Sequence, residues 1–395
     1  MSLTISEIAI NTTHLSGNPI WVKVTTSLVQ GTNYKILLKV VSPDGVLIGT
    51  PFIDAIAPDT DDVAWFNISG LVDQAITKNF NWPLLGRINA YTDMAYDIWL
   101  YAGESYIDGS GDPQESFETV VEPFFIVKGK LPLIKLAELN DASSSWFDYF
   151  VDGERFLSLM PTTQKVSPWQ PVKLWYKWPD AVSDVIDLIV TATFDDDSTQ
   201  TIEQNPAVTR ASLYEFDVQP EHVGFTLDNG VKKMISFTVS AEIDSVPILE
   251  IRTFEIDWDY KEKHWYLFVD NQIGGIETIW LKGRAVYAPT GERSLAGKPQ
   301  PRGAGVKIPT LVVSGNSRQR KWKINSGIKL KDELAALDIL LDSPEAWLAI
   351  PPASGATALS GYTLAPVIIN NTEFVLNDDT QDVESIDIEL LEAHS

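Results

Sequence analysis

The chain contains no cysteine, which excludes disulfides, thiol nucleophiles and cysteine-ligated zinc. It also has no run of about 18 apolar residues, so the sequence predicts no membrane insertion. The first residues lack the basic and apolar segments of a secretory signal, which predicts synthesis in the cytoplasm. Four histidines are present, and no two of them are spaced as metal ligands on one element.

Catalytic motifs are missing as well. No G-x-S-x-G element occurs, and no Gly-rich segment is followed by the lysine of a phosphate-binding loop. The acidic segments 59–62 and 195–197 lack the alternating ligands and closing glutamate of a calcium loop, so solvated turns are the better interpretation. Carboxylate pairs carry no information in a chain with 54 acidic residues. The sequence therefore predicts no enzyme activity, no metal site and no cofactor.

Positive charge is scarce and unevenly distributed. The chain has 30 Lys and Arg against 54 Asp and Glu, a net charge of −24 that argues against nucleic-acid binding. Residues 259–331 contain 14 basic and 5 acidic residues. Residues 332–395 contain 13 acidic residues and not one Lys or Arg. A chain that sorts its charges in this way is expected to arrange them against a neighbour.

The pattern of apolar residues predicts a mainly β protein. Segments such as 3–10 and 20–26 alternate apolar and polar residues, as half-buried strands do. Several short strands of this kind, separated by turn residues, are typical of β-sandwiches. We expect two N-terminal β-sandwich domains, 1–130 and 131–258, followed by a C-terminal α+β domain, 259–395, with one main helix.

The main helix of the third domain is predicted after Lys331. Two acidic residues open its first turn, which favours the helix dipole, and Pro344 ends it. Leu334, Leu337 and Leu341 recur on one helix face, which is expected to cover the sheet. The preceding segment 288–306 is rich in Gly, Pro and Arg and too irregular for either period, which predicts an exposed arm or loop.

A basic strip precedes this helix and is the best candidate for an interaction surface. The candidate interface residues are Arg318, Arg320, Lys321, Trp322, Lys323 and, beyond the helix, Trp347. A solvated strand face explains the same residues equally well. The wholly acidic segment 332–395 favours an interface, because the basic strip of one copy can meet the acidic face of another copy or of a stacked ring.

The 13 tryptophans support a different hypothesis. Most of them are expected in cores and interfaces, but exposed aromatic rings also stack on sugars. The candidates for a sugar platform are Trp169, Trp175, Tyr176 and Trp178. Strand alternation places Trp175 opposite Tyr176, so one of the two is expected in the core. The alternative to an assembly protein is therefore a carbohydrate-binding adhesin or receptor-binding protein, with a host-surface glycan as its partner.

The last 240 residues or so also resemble a known group of proteins. The motifs are FVDN at 268–271 with the following GG and ET pairs, NSG at 325–327, LLDSPEAW at 340–347, PVII at 366–369, IELLEAH at 388–394, and RFLSLMP at 155–161 continuing through Val166. In this order they resemble uncharacterised tail-module proteins of tailed bacteriophages and prophages. The NSG turn departs from the pattern, since Ser326 stands where threonine is expected.

The resemblance implies a virion structural role. A protein of this kind is expected to assemble as a homo-oligomeric ring in the tail, as a distal-tail or baseplate-hub subunit. It would link the tube to peripheral or adhesion proteins, so its partners would be copies of itself and other tail or baseplate proteins. Its location would be the virion tail, after synthesis in the host cytoplasm.

Overall fold

The computed structural model describes a mainly β protein, as the sequence predicts. The described residues are 3–6, 13–27, 32–42, 53–56, 58, 62–76, 88–91, 94–132, 146–151, 153–178, 184–208, 212–259, 263–297, 311–329, 331–352, 361–374 and 385–393. Backbone contacts divide the chain into two compact units, 1–256 with 270–277 and 257–269 with 278–395. The three-domain division expected from the sequence stays a prediction.

The described residues of the first unit form strands of 2 to 15 residues and three short helices. Its strands are β1 (Leu3–Ser6), β2 (Thr13–Leu15), β3 (Trp21–Thr26), β4 (Thr32–Val41), β5 (Ile53–Ile56), β6 (Val63–Asn67), β7 (Ile88–Tyr91), β8 (Ala95–Ile107), β9 (Pro113–Val127), β10 (Thr163–Val166), β11 (Lys173–Lys177), β12 (Asp184–Val185), β13 (Asp187–Phe194), β14 (Thr199–Gln204), β15 (Ala207–Val208), β16 (Leu213–Asp217), β17 (Met234–Ile243), β18 (Val246–Pro247) and β19 (Arg252–Ile256). Its helices are α1 (Ser69–Ala75), α2 (Trp146–Phe150) and α3 (Pro220–Val223).

The N-terminal part of this unit has a sandwich-like core. One sheet has the order β1-β3-β6 and the other has the order β2-β9-β8-β4-β5. Inward-facing residues of both sheets form a single cluster, to which Val22 and Val24 of β3 and Ile36 and Leu38 of β4 contribute. Because side chains alternate along a strand, the residues between them face outward, and this period of two is what the sequence displays.

Backbone pairing in the first unit crosses the boundary expected at 130/131. Strand β7 pairs with β16 in the sheet β11-β16-β7, with Ile88 opposite Phe216 and Tyr91 opposite Leu213. The remaining strands form a sheet of order β10-β19-β17-β13-β14, with β18 on β17, and the pair β12-β15. Residues on both sides of the expected boundary therefore share one three-stranded sheet.

The second unit holds a seven-stranded sheet. Its strands are β20 (Trp265–Asp270), β21 (Ile276–Leu281), β22 (Ala285–Gly297), β23 (Leu311–Asn325), β24 (Ala346–Ile350), β25 (Thr363–Ile369) and β26 (Asp387–Glu392). Their order is β21-β20-β24-β25-β26-β23-β22. Residues 270–277, which comprise the end of β20, the connection 271–275 and the start of β21, cluster with the first unit.

The predicted helix exists, but it is interrupted. It runs as α4 (Lys331–Ala335), a 3₁₀ turn (Ala336–Asp338) and α5 (Ile339–Asp342). Ser343 leaves it with an extended backbone, φ −67° and ψ 118°, because the following proline disfavours the helical conformation there. Leu334 and Leu337 are fully buried, whereas Leu341 is 41% exposed, so only two of the three predicted leucines face the core.

The expectation of an irregular arm over 288–306 was wrong for its first part. Residues up to Gly297 belong to β22, which pairs antiparallel with β23 along its whole length from Ala285 opposite Ile324 to Gly297 opposite Leu311. The register shifts once, between Ser294 and Leu295. Residues 298–310 lie outside the described part of the chain. The Gly and Pro residues of this segment indicated a loop, but a strand at a sheet edge also tolerates both.

Candidate assembly surface

Five of the six predicted interface residues lie on β23, where alternation divides them between two faces, and Trp347 lies on β24. Trp322 lies opposite Leu390 and Ile324 opposite Ile388, and all four side chains are buried. Lys323 lies on the other face of the strand, opposite Glu389. Lys321 and Lys323 therefore lie on the solvent-facing side of β23, whereas Arg320 has the same strand parity as the buried Trp322 but is itself exposed.

The basic residues of β23 pair with acidic residues of β26 in the same chain. Lys321 Nζ lies 2.6 Å from Glu389 Oε2, and Lys323 Nζ lies 3.0 Å from Asp387 Oδ2. The Arg320 guanidinium lies 3.5 Å from a carboxylate oxygen of Glu392. The two oppositely charged segments of the sequence are thus neighbouring strands of one sheet. These three ion pairs between β23 and β26 are called the charge ladder below. Because its charges are paired within the chain, the ladder gives no support to a contact between copies at these residues.

The titration of the ladder follows from these contacts. The hydrogen bond from Lys321 holds the pKa of Glu389 below its usual value. The Asn325 amide, which donates to Asp387 Oδ1 at 2.8 Å, and Lys323 together lower the pKa of Asp387. In return the hydrogen bond to Asp387 raises the pKa of Lys323. All three groups therefore stay ionised around neutral pH.

The remaining predicted interface residues have different environments. Trp322 is only 3% exposed and packs against Tyr287, with ring centroids 5.8 Å apart, so it belongs to the core and is not available as a surface. Trp347 is half-buried in β24, between Phe268 and Pro366 in the backbone register. Arg318 is opposite Gly291 in the strand pairing, but its side chain lies outside the described residues.

The hairpin of β22 and β23 reaches beyond the sheet. Strand β26 pairs with β23 only from Lys321 to Asn325, and β22 is the edge strand. Residues 290–297 of β22 lie opposite the part of β23 that does not pair with β26. Among the described strands this part of the hairpin is therefore a two-stranded ribbon eight residues long, or roughly 26 Å at about 3.3 Å per residue. An isolated two-stranded ribbon is only marginally stable in water, so a ribbon of this length is suited to contact another surface.

The hairpin has the opposite charge to the rest of the chain. Residues 285–325 contain 8 Lys and Arg and 1 acidic residue, a charge of +7. The other residues contain 30 − 8 = 22 basic and 54 − 1 = 53 acidic residues, a charge of −31. Of these eight basic residues, three lie outside the described part of the chain, namely Lys298, Arg302 and Lys307. Three others, Arg320, Lys321 and Lys323, lie beside acidic residues of β26.

A second candidate site is a cavity of about 240 Å³ in the first unit. It is lined by the RFLSLMP segment together with α2 and the start of β19. Arg252, only 2% exposed, donates to Glu250 at 2.7 and 2.9 Å, to Ser158 Oγ at 3.1 Å and to the Met160 carbonyl at 2.8 Å. These bonds occupy four of the five N–H donors of Arg252 with acceptors of the protein itself, so we assign the lining of the cavity a structural role.

A buried ion pair in the sheet β11-β16-β7 was missed by the sequence analysis. Lys173 Nζ lies 2.8 Å from Glu215 Oε1, and both side chains are at most 3% exposed. Asn89 and Tyr91 of β7 also donate to Glu215, at 3.2 and 3.3 Å. Burial raises the pKa of Glu215, and the charge of Lys173 opposes that shift. The pair fixes three strands to one another, which is a structural role.

The predicted sugar platform is not at the surface. Trp175, Tyr176 and Trp178 are 1%, 3% and 2% exposed, and Trp169 is half-buried. Trp175 Nε1 donates to the Ile276 carbonyl at 3.0 Å. The expectation that these rings can stack on sugars was wrong for those three. Every residue of β11, which holds Trp175 and Tyr176, is buried, and Trp178 directly after the strand is buried as well.

The histidines and acidic turns bring no cluster of ligands together in the described residues. There, no three His, Asp or Glu side chains are grouped as a metal would require. His264 is buried, and burial lowers its pKa to about 4. No helix of the described chain is long and apolar enough to cross a membrane.

No protein-family model matches the chain. The curated proteins likewise contain no match.

Proposed function

We propose that the chain is a structural subunit of a tailed-phage virion. It assembles as a ring in the tail, as a distal-tail or baseplate-hub component, and links the tube to peripheral or adhesion proteins. The sequence motifs that resemble tail-module proteins support this assignment, and most of them belong to the seven-stranded sheet and its helix segment. The role is structural and not catalytic, and its site of action is the virion.

The observation that carries the proposal is the basic hairpin. Closing a ring through a head-to-tail contact needs two different, complementary surfaces on one chain. By sequence, the segment 290–319 contains 5 Lys and Arg and 1 acidic residue, a charge of +4, while the other residues contain 30 − 5 = 25 basic and 54 − 1 = 53 acidic residues, a charge of −28, which supplies such a pair. The sequence places the contact between copies at the basic strip, and we now propose the hairpin for it instead. The hairpin beyond Arg320 reaches the neighbouring copy, while Lys321 and Lys323 are occupied by β26 of their own chain.

The experiment shortens the hairpin and measures assembly. Residues 294–315 are replaced by Asn-Gly, which closes a two-residue turn between the paired residues Arg293 and Asn316. Mass photometry and negative-stain microscopy then compare the full chain with the shortened one. We expect rings from the full chain, and from the shortened chain we expect monomers that retain a folded β-type far-UV circular dichroism spectrum.

A matched control keeps the hairpin and exchanges the ladder charges by combining Lys321→Glu with Glu389→Lys. Because both residues belong to one chain, this variant is expected to form rings like the original. The proposal is rejected if the shortened chain forms rings. It is also rejected if the full chain stays monomeric at every protein concentration measured.

The adhesin alternative loses its original support, because three of its four aromatic candidates are buried. Its site would have to lie elsewhere on the chain.

A further inference from the structure

Two tryptophans are exposed on the outer face of the sheet β1-β3-β6. Trp21 is 50% exposed and Trp65 is 40% exposed, while their strand neighbours Val22, Ala64 and Phe66 are at most 1% exposed. Among the described residues only one other aromatic side chain, Tyr287, is comparably exposed. Large aromatic side chains normally bury their surface, so two of them on one face mark that face for contact.

The strand register brings the two rings together. Lys23 lies directly opposite Trp65, and Asn67 lies directly opposite Trp21. The tryptophans are therefore diagonal neighbours on the central strand β3 and the edge strand β6, with backbone positions roughly 7–8 Å apart. Lys23 Nζ lies 5.4 Å from the centre of the Trp65 ring, which holds one edge of the face in place.

The surroundings of the two rings are polar and almost uncharged. The other outward-facing positions of the three strands are Thr4, Ser6, Lys23, Thr25, Val63 and Asn67. Asn67 Oδ1 accepts a hydrogen bond from the Ser69 amide at 3.1 Å, which orients the Asn67 amide and leaves its NH₂ group as a donor. Hydroxyl and amide groups around a pair of indoles match the hydroxyls around the apolar faces of a sugar chain.

We propose that this face, defined by Trp21, Trp65, Lys23 and Asn67, binds a neutral β-linked oligosaccharide. The C–H groups on one face of a pyranose ring pack against an indole face, and the ring hydroxyls bond to flanking polar side chains. Chains with equatorial β-linkages are extended and present flat faces in succession. A sheet face with two rings at diagonal positions accommodates consecutive sugar units of such a chain.

The size of the face argues against a protein partner. With strands about 4.8 Å apart and about 3.3 Å per residue, a three-stranded face whose longest strand has six residues covers roughly 300 Å². A stable protein interface buries about 800 Å² on each partner. A slender polymer needs much less area, because only a few of its units contact the protein at one time.

The charge of the face argues against a single-stranded nucleic acid, which would also stack on tryptophan. Binding a phosphate backbone requires a basic groove, and this face carries one lysine on a chain of net charge −24. A neutral sugar makes no such demand.

The test measures binding of cellohexaose, chitohexaose and β-mannohexaose to the full chain by isothermal titration calorimetry, after a screen on a printed array of plant and bacterial oligosaccharides. We expect binding of at least one β-linked glycan. Trp21→Ala and Trp65→Ala should each weaken it at least about tenfold, as is typical when a central aromatic contact is removed. Trp21→Phe and Trp65→Phe should retain part of the affinity, because a stacking ring remains.

Tyr287→Ala, which removes an exposed aromatic side chain from the second unit, is the control and should leave the affinity unchanged. Circular dichroism of each variant checks the fold. The proposal is overturned if no glycan binds more tightly to the chain than to the Trp21→Ala/Trp65→Ala double variant. It is equally overturned if the two tryptophans are needed for self-association or for binding oligo-dT and not for glycan binding. Ring formation does not enter this test, so its outcome is separate from that of the hairpin experiment.

Discussion

Lys321 of β23 and Glu389 of β26 form an ion pair across two adjacent strands of one sheet, with Nζ 2.6 Å from Oε2. Their sequence separation is 68 residues, and each lies in a segment of uniform charge. The pairing shows that the charge reversal along the sequence is used, at least at these positions, to select which strand lies beside which. Opposite charges across a strand pair favour the correct register and disfavour alternatives.

Exchange of these two charges tests whether the pair is intramolecular. Lys321→Glu or Glu389→Lys alone places like charges side by side and should lower the melting temperature of the C-terminal unit by about 1–3 °C, since the pair is exposed to solvent. The double exchange should restore it. Thermal unfolding at low and high salt measures this, with the difference shrinking at high salt.

Mixing the two single variants provides the discriminating control for that prediction. If the charges met between copies, a Lys321→Glu chain and a Glu389→Lys chain would stabilise each other on mixing. We expect no such complementation.

The buried pair of Lys173 and Glu215 is expected to matter much more. Glu215→Gln leaves the Lys173 ammonium buried without its counter-charge, which typically costs about 3–5 kcal/mol. Urea unfolding should register that loss in the first unit. The double variant Lys173→Met/Glu215→Leu removes both charges and should be more stable than Glu215→Gln. A single variant as stable as the original chain would show that Lys173 reaches solvent.

The sequence predicted the elements of this fold better than their partners. Alternation in β3 identified a half-buried strand, and Pro344 identified the end of the helix segment, because both signals are local. The pairing of Lys321 with Glu389 is not local. Complementary charges have the same sequence pattern whether they meet within a chain or between chains. The pattern alone therefore does not distinguish a contact between copies from a strand pair within one chain.

The aromatic residues illustrate the same limit. Trp175 and Tyr176 are adjacent in β11, so alternation predicts that one of them is exposed, yet the strand is covered on both sides and both are buried. Trp21 and Trp65 lie in half-buried strands, where alternation does apply, but their proximity follows from a pairing across 44 residues. The sequence indicates that each tryptophan lies on the outer side of a half-buried strand, because the residues flanking it are apolar. It does not indicate which other strand lies beside that strand.

His222 is expected to make stability depend on pH. Its Nδ1 lies 2.8 Å from Asp217 Oδ2, and this hydrogen bond raises the pKa of His222 above its usual value. A histidine whose pKa is raised by folding stabilises the folded state fully below its unfolded pKa of about 6.5, and this contribution is lost as pH rises through the folded pKa. The gap in melting temperature between the original chain and His222→Gln should therefore be larger at pH 5.5 than at pH 8.5.

The Asp217 carboxylate is the named cause of that shift, so its removal is the control. In Asp217→Asn the NMR titration of His222 should return towards the usual histidine value. An unchanged titration midpoint would assign the shift to another group.

The helix segment offers a matched pair of substitutions for the core of the second unit. Leu337 is fully buried and Leu341 is 41% exposed, although both were expected on one helix face. The 3₁₀ turn from Ala336 to Asp338 changes the angular spacing between them, which rotates Leu341 towards solvent. Leu337→Asp loses roughly 1.5–3 kcal/mol of apolar burial and adds the larger cost of a buried charge, so we expect the second unit to unfold. Leu341→Asp should shift its melting temperature by only a few degrees, and equal effects of the two substitutions in calorimetry would show that both leucines face the core.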